Sequence, residues 1–277
     1  MVTLLNKLKL SQLDGSWRSS ILDFVRLCRI ALMVVFFALR ASASIFIMAI
    51  CKDGVVAVAD SRMAFSDVTS ATDRPLAYAD GLNKITRFDS ALLAATGQGF
   101  IGEDRFDDVV RRFAASAGPL APEAILPGLI RWTGSALRQQ HLAVAKFANG
   151  KPVICGYDGQ YRSCIGEAYV QSSPTDFENV RAKLTTMSAM EVAAAARSSM
   201  QRYITAKGKG ATMGGEFPAV VLTAAGARDL WTLKNPIQAG TIDELVALVR
   251  SGKIQVTLVP PATRADLDDL LDSGPVR

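Results

Sequence analysis

The stretch "ASASIFIMAICKDGVVAVADSR", residues 41–62, holds two apolar, β-branched-rich runs, "SIFIMAI" and "GVVAVAD", joined by "CKDG". Asp53-Gly54 is a hairpin turn signal, because Gly accepts positive φ without steric cost. The second run ends on Asp60, after five small or apolar residues. A carboxylate so placed is buried or nearly so, and a buried charge is costly unless it has a partner. Asp60 therefore needs a partner elsewhere in the chain.

Outward from this hairpin, "KITRF" and "ALLAAT" form a second strand pair around Asp89-Ser90. Four strands thus precede any strong helix. Phe106, Val109, Val110, Phe113 and Ala117 recur at helical spacing and predict a helix over 104–117. A second helix is predicted over 122–140, with Pro127 marking its first turn or a kink. "LAVAKF" and "KPVICGY" read as a third hairpin around Asn149-Gly150, and residues 188–206 as an Ala-rich helix. "AVVLTAAG" and "RDLWTL" are late strands. "TIDELVALVRSG" is a fourth helix, with Thr241 as N-cap and Gly252 past its end. Residues 260–277, rich in Pro and Asp, read as a loose C-terminal tail. Hairpins with helices grouped between them point to antiparallel sheets covered by helices, not to alternating βαβ units.

Composition narrows the chemistry. The chain of 277 residues is 49% hydrophobic and 21% charged, as a globular protein with a large core should be. His141 is the only histidine, which excludes a metal cluster with several His ligands and leaves little room for a Ser-His-Asp triad. "GQGFIG" has the wrong spacing for a phosphate-binding loop, so neither cofactor nor metal is expected. The net charge of +5 is spread along the chain without an aromatic-basic motif, and no nucleic-acid partner is expected. The four cysteines form no C-x-x-C pair; Cys51 reads as a partly buried structural thiol.

Residues 1–43 differ from the rest. Lys7, Lys9, Arg18, Arg26 and Arg29 precede the apolar run "IALMVVFFAL", and Ala41-Ser42-Ala43 follows. The segment reads as a propeptide or a stretch translated from too early a start codon, as a signal-like leader with an A-x-A cleavage site, or as an anchor in which residues 21–50 contact a membrane; its basic part is long for a signal, which favours self-cleavage before Ser44 in the cytoplasm. All three readings stay open on the sequence alone.

The runs "SIFIMAICKDGVVAVADSR", "NKITRF" and "ALLAATGQG" resemble the N-terminal half of proteasome β-type subunits and their HslV-like bacterial relatives, the N-terminal-nucleophile hydrolases. The likeness is specific over residues 44–100 and continues weakly to about 232. It implies an α+β fold, a four-layer αββα sandwich of two antiparallel sheets, over residues 44–259. In that pattern the nucleophile is the first residue of the mature chain, and sixteen residues before Asp60 stands Ser44. The pattern's Lys falls on Lys84, its hairpin Gly on Gly54, and the Gly supplying a backbone donor to the oxyanion on Gly97. The interval from Asp60 to Lys84, 24 residues, is longer than the pattern and implies an insertion in "SDVTSATDRPLAYADG".

The resemblance implies a peptidase or amidohydrolase acting on a peptide or small amide, cytoplasmic, and assembled as a homo-oligomer. A catalytically silent subunit for assembly or binding is the alternative, and an exported or membrane-anchored protein a further one. A serine hydroxyl needs a base, and an α-amino group, with a pKa of about 7.7–8.0, can be that base without any histidine. Lys84 would lower the hydroxyl's pKa, and Asp60 would hold Lys84.

The chain departs from the pattern at several positions. Ala43 stands where self-cleaving members have Gly, and Ser44 where most have Thr. In "GATMGG", residues 210–215, Gly214 and Gly215 match, but Gly210 and Met213 replace a supporting Asp and Ser. The other supporting serine would be Ser172 or Ser173.

Overall fold

The computed structural model describes residues 44–66, 75–97, 99–137, 140–159, 164, 168–170, 177–208, 210 and 212–272. In chain order the strands are β1 (Phe46–Cys51), β2 (Gly54–Ala59), β3 (Arg62–Phe65), β4 (Ala77–Asp80), β5 (Ile85–Phe88), β6 (Ala91–Thr96), β7 (Phe100–Ile101) and β8 (Asp104–Arg105). Helices α1 (Phe106–Ala117) and α2 (Pro122–Thr133) follow, then β9 (His141–Ala148), β10 (Lys151–Asp158) and β11 (Ala168–Val170). After a single helical turn at Glu178–Arg181 come α3 (Ala189–Ala206), β12 (Ala219–Thr223), β13 (Gly226–Trp231), α4 (Ile242–Arg250), β14 (Thr257–Leu258) and α5 (Arg264–Asp272).

The expected four-layer αββα sandwich of two sheets is corrected. The described strands divide among four antiparallel sheets: β11-β1-β2-β12-β13, β10-β9-β6-β5, β14-β4-β3 and β7-β8. The extra sheets come from segments without a strand pattern in the sequence and, for β8, from the first two residues of the helix expected over 104–117. Part of the long interval between Asp60 and Lys84 folds into β3 and β4, which pair Arg62 with Asp80 and Phe65 with Ala77. β14 joins them at Tyr78 and Ala77. Residues 67–74 of that interval lie outside the described residues.

Burial follows from side-chain alternation along the strands. Phe46 and Met48 of β1, with Val55 and Ala57 of β2, pack on Ile85, Leu92, Ala94 and Ala143 of the β10-β9-β6-β5 sheet. Their neighbours Ile47, Ala49, Val56 and Val58 face Val192, Ala193, Ala196 and Met200 of α3. Both faces of the β1-β2 hairpin are thus apolar, which is why its sequence runs apolar without a polar alternation. On the far side of the second sheet, Leu93, Leu142 and Val144 pack on Val110, Phe113 and Leu126 of α1 and α2. A separate cluster joins Met63, Phe65 and Ala79 to Leu245 of α4 and to Leu267, Leu270 and Leu271 of α5. The tail expected to be loose over 260–277 therefore contains a docked helix. Its leucines recur at helical spacing within an acidic stretch, and that acidity masked the pattern.

Three boundaries also shift. Helix α1 starts at Phe106 because Asp104 and Arg105 pair with Ile101 and Phe100. Helix α2 stops at Thr133, where Gly134 takes φ +65, and its run-on to 140 is replaced by a 3-10 turn at Gly134–Leu137. In the first hairpin the two-residue turn is Lys52-Asp53, and Gly54 already pairs with Cys51 as the first residue of β2. Gly54 is required for another reason. It stands at φ +142, and a Cβ there would lie 2.1 Å from the Leu222 carbonyl oxygen of β12.

Gly54→Ala should therefore push β12 off β2 and cost about 3 kcal/mol or more. Gly118→Ala, at φ +67 with open space around it, should cost only about 1–2 kcal/mol. Urea unfolding of the two variants tests the difference; equal losses would contradict the close approach at Gly54.

Candidate functional site

The β1-β2 hairpin brings its two ends together, and the site is built there. Ser44 and Ile45 lead into β1, and Asp60 leaves β2. The Ile45 backbone N–H donates to Asp60 Oδ1 at 2.9 Å. Lys84, just ahead of β5 in the facing sheet, reaches the same oxygen with its Nζ at 2.8 Å. That Nζ also donates to Ser44 Oγ at 2.7 Å and to the Arg62 carbonyl oxygen at 2.7 Å. Asp60 Oδ2 accepts from the Gly214 N–H at 3.1 Å. Ser44, Asp60 and Lys84 are all buried, Asp60 completely and Lys84 to 7% exposure.

Three of the four residues expected to act together are thus in direct contact, and the partner that Asp60 required is Lys84. Burial pushes the Lys84 pKa below its ordinary value, while the charge and hydrogen bond of Asp60 pull it back up. An ammonium so placed has three acceptors for its three N–H groups, one of them the candidate nucleophile. It favours a negative charge developing on Ser44 Oγ.

Neither a protein-family model nor a curated protein matches the chain. The chemistry of the site rests on its own residues.

Gly97, the fourth expected residue, is exposed at the end of β6, at φ +105. It lines a cavity of about 20 Å³ together with Lys84, Leu82, Ala95, Thr96 and Phe106. This is room for a water or a methyl-sized group. The far wall carries Arg105 and Asp107. Asp107 is 4% exposed, and its charge is met by Arg105 Nε at 2.6 Å and by Arg111 at 3.2 Å. Ser172 and Ser173 lie outside the described residues. Met213 is buried in the α3 cluster, so the position where a supporting serine was sought carries an apolar anchor. Among the described residues no group of three His, Cys, Asp or Glu side chains could hold a metal.

The sequence reading missed the shell that holds the Asp60 turn in place. Ser61 Oγ accepts from the Glu216 N–H at 2.9 Å, and the Ser61 N–H donates to the Gly214 carbonyl at 3.1 Å. Arg62 forms a bidentate pair with Asp80, Nε–Oδ1 2.7 Å and Nη2–Oδ2 2.8 Å, and stacks on the Tyr78 ring at 3.7 Å. It also donates to the Gly210 carbonyl oxygen. Burial opposes the Arg62 charge, but the Asp80 carboxylate outweighs it and the guanidinium pKa is raised. Gly215 closes the shell. A Cβ there would lie 2.6 Å from Ser61 Oγ and 2.8 Å from Asp80 Oδ1. All three polar residues of the Asp60-Ser61-Arg62 run are therefore committed. The available signal for the Asp80 contact was strand register, which single-sequence reading does not supply over an 18-residue gap.

Lys84→Met removes the cation and leaves Asp60 buried without a countercharge, which should cost about 3–5 kcal/mol. The pH dependence has a definite sign. With the folded-state pKa below the unfolded value of about 10.4, the unfolded chain binds more protons in the window between them. The contribution of Lys84 to stability is lowest below the folded pKa and rises with pH toward about 10.4. Chemical unfolding at several pH values should show the gap between wild type and Lys84→Met widening on the alkaline side. A gap that narrows there would contradict a depressed Lys84 pKa.

Proposed function

We propose that the chain is an amide-bond hydrolase of the N-terminal-nucleophile type, with Ser44 as nucleophile once it has become the first residue of the mature chain. The observation that carries this reading is the Lys84 Nζ, at 2.7 Å from Ser44 Oγ and 2.8 Å from Asp60 Oδ1. The resemblance of residues 44–100 to proteasome-type hydrolases supports it independently.

In this mechanism the freed α-amine of Ser44 takes the hydroxyl proton, and Oγ attacks the carbonyl carbon of the substrate amide. Lys84, kept charged by Asp60, stabilises the developing alkoxide and holds down the amine's pKa by like-charge repulsion. The oxyanion of the tetrahedral intermediate faces the Gly97 N–H, a kind of donor worth about 3–4 kcal/mol when well aimed. The protonated amine passes its proton to the leaving nitrogen, and an ester on Ser44 remains. Water, deprotonated by the same amine, hydrolyses that ester to the carboxylic acid. The substrate class this reading implies is a peptide or small amide, and the resemblance implies a homo-oligomer.

A second reading shares the site. Lys84, with its pKa lowered by burial, is itself the base for Ser44, and no free amine is needed. The two differ in what the N-terminus does. A silent subunit for assembly or binding predicts no turnover in either state.

The test is turnover of short amide substrates by chain that begins at Ser44 and by chain that retains residues 1–43. The α-amine mechanism predicts activity in the first alone, rising as the amine loses its proton at or below about pH 7.7–8.0 and falling as Lys84 deprotonates. Ser44→Ala should abolish turnover, and Lys84→Met should lower kcat by about 100-fold or more. Equal activity with the leader attached would transfer the base role to Lys84.

A further inference from the structure

The described part of the chain contains one disulfide, Cys155–Cys164. Cys155 is fully buried in β10, packed on the α1-α2 cluster, and Cys164 packs partly buried against the same cluster. Cys164 lies four residues before β11, which pairs with β1 at Ile47–Val170, Met48–Tyr169 and Ala49–Ala168. The bridge thus joins β10 to a residue four positions before the strand that pairs with β1. Cys51, the remaining described cysteine, is free and buried, and burial pushes its thiol pKa up. It carries little thiolate and competes poorly in disulfide exchange. The fourth cysteine, Cys28, belongs to the leader. Cleavage before Ser44 therefore leaves a chain with a single pairing and one sheltered thiol.

Such a pairing persists in oxidising compartments and is rare where thiols are kept reduced. The leader agrees with that setting. Its apolar run of ten residues, "IALMVVFFAL", and its Ala41-Ser42-Ala43 end have the dimensions of a secretory signal. Its surplus length is all in the basic part before Ile30.

Resting on the proposed function, we propose that residues 1–43 export the chain and that a signal peptidase, not Ser44 itself, cuts the Ala43–Ser44 bond. Hydrolysis of that amide gives the hydroxyl of water to the Ala43 acyl group and a hydrogen to nitrogen, leaving Ser44 with the α-amine that the mechanism uses. The Cys155–Cys164 bridge forms in the same compartment. The two thiols lose two electrons and two protons to the disulfide of a thiol oxidoreductase, which leaves as its dithiol. The nucleophile is thereby armed only outside the cytoplasm, and the hydrolase is kept from cytoplasmic amides.

The test expresses the full chain, as wild type and as Ser44→Ala, in a Gram-negative bacterium. Cell fractions are separated, N-termini are read by mass spectrometry, and thiols are alkylated before and after reduction. Both chains are expected in the extracytoplasmic fraction, beginning at residue 44. Cys155 and Cys164 should be alkylated only after reduction. Ala43→Phe, which places a bulky residue where the peptidase requires a small one, should retain residues 1–43 with Ser44 intact. Retention of the leader by Ser44→Ala alone would overturn the proposal in favour of self-cleavage, and would leave the Ser44 chemistry standing. Free Cys155 and Cys164 in processed wild-type protein would overturn it as well. Processed, oxidised wild type that turns over no amide would instead sink the function and leave the export route standing.

Discussion

A buried lysine ammonium has few places to go. Taken out of water, the Lys84 charge is tolerable only because Asp60 lies 2.8 Å away and the Arg62 carbonyl and Ser44 hydroxyl complete its shell. Asp60 in turn accepts from the backbone at Ile45 and Gly214. One carboxylate thus joins the start of β1, the end of β2, the segment just ahead of β5 and the segment before β12. These pieces are far apart in sequence and belong to two sheets. Packing of apolar strand faces brings the sheets together, but packing alone does not choose which polar groups meet at their edge. The ion pair makes that choice.

The surrounding residues restrict its freedom to rearrange. Arg62 is fixed by Asp80 and Tyr78, so the carbonyl offered to Lys84 cannot swing away. Gly215 lets the chain pass against Ser61 and Asp80 at a distance that no side chain would permit. On the other side, β1 pairs with β11. Ser44 therefore leads into a strand that is paired on both sides, with β2 and with β11. Preorganisation of this kind is what lets a charged group stabilise an alkoxide without reorganising at the moment of reaction.

Much of this was legible in the sequence, and for identifiable reasons. The six strands of three hairpins announced themselves by apolar runs, with turns at Asp89-Ser90 and Asn149-Gly150 as expected and the first turn one residue earlier than the Asp53-Gly54 signal. That Asp60 needs a cation was read from its apolar surroundings, and the resemblance supplied Lys84 and Ser44. What was not legible depends on contacts made across the fold. β3 and β4 are short and alternate in burial, and they become strands by pairing with each other across an eleven-residue connection, with β14 added at the edge of β4. Helix α5 was hidden by the acidic residues around Leu267, Leu270 and Leu271. The β14-β4-β3 sheet follows from these additions, and the two-residue strands β7 and β8 make the fourth sheet. The need for glycine at position 54 was read from the turn, yet its cause is the passage of β12. The Cys155–Cys164 bridge has no sequence signature, because nine residues of separation are compatible with many arrangements.

The link from Asp60 through Lys84 to Ser44 makes a specific demand on reactivity. A β-lactone, which acylates an activated hydroxyl, can be offered to mature chain and the adduct located by peptide mass spectrometry. The site geometry predicts a single adduct on Ser44, forming at least about 100-fold more slowly in Lys84→Met and in Asp60→Asn variants shown to be folded. An adduct on another residue, or labelling of Ser44 at the wild-type rate in folded Lys84→Met, would contradict the assignment of Lys84 as the group that activates the nucleophile.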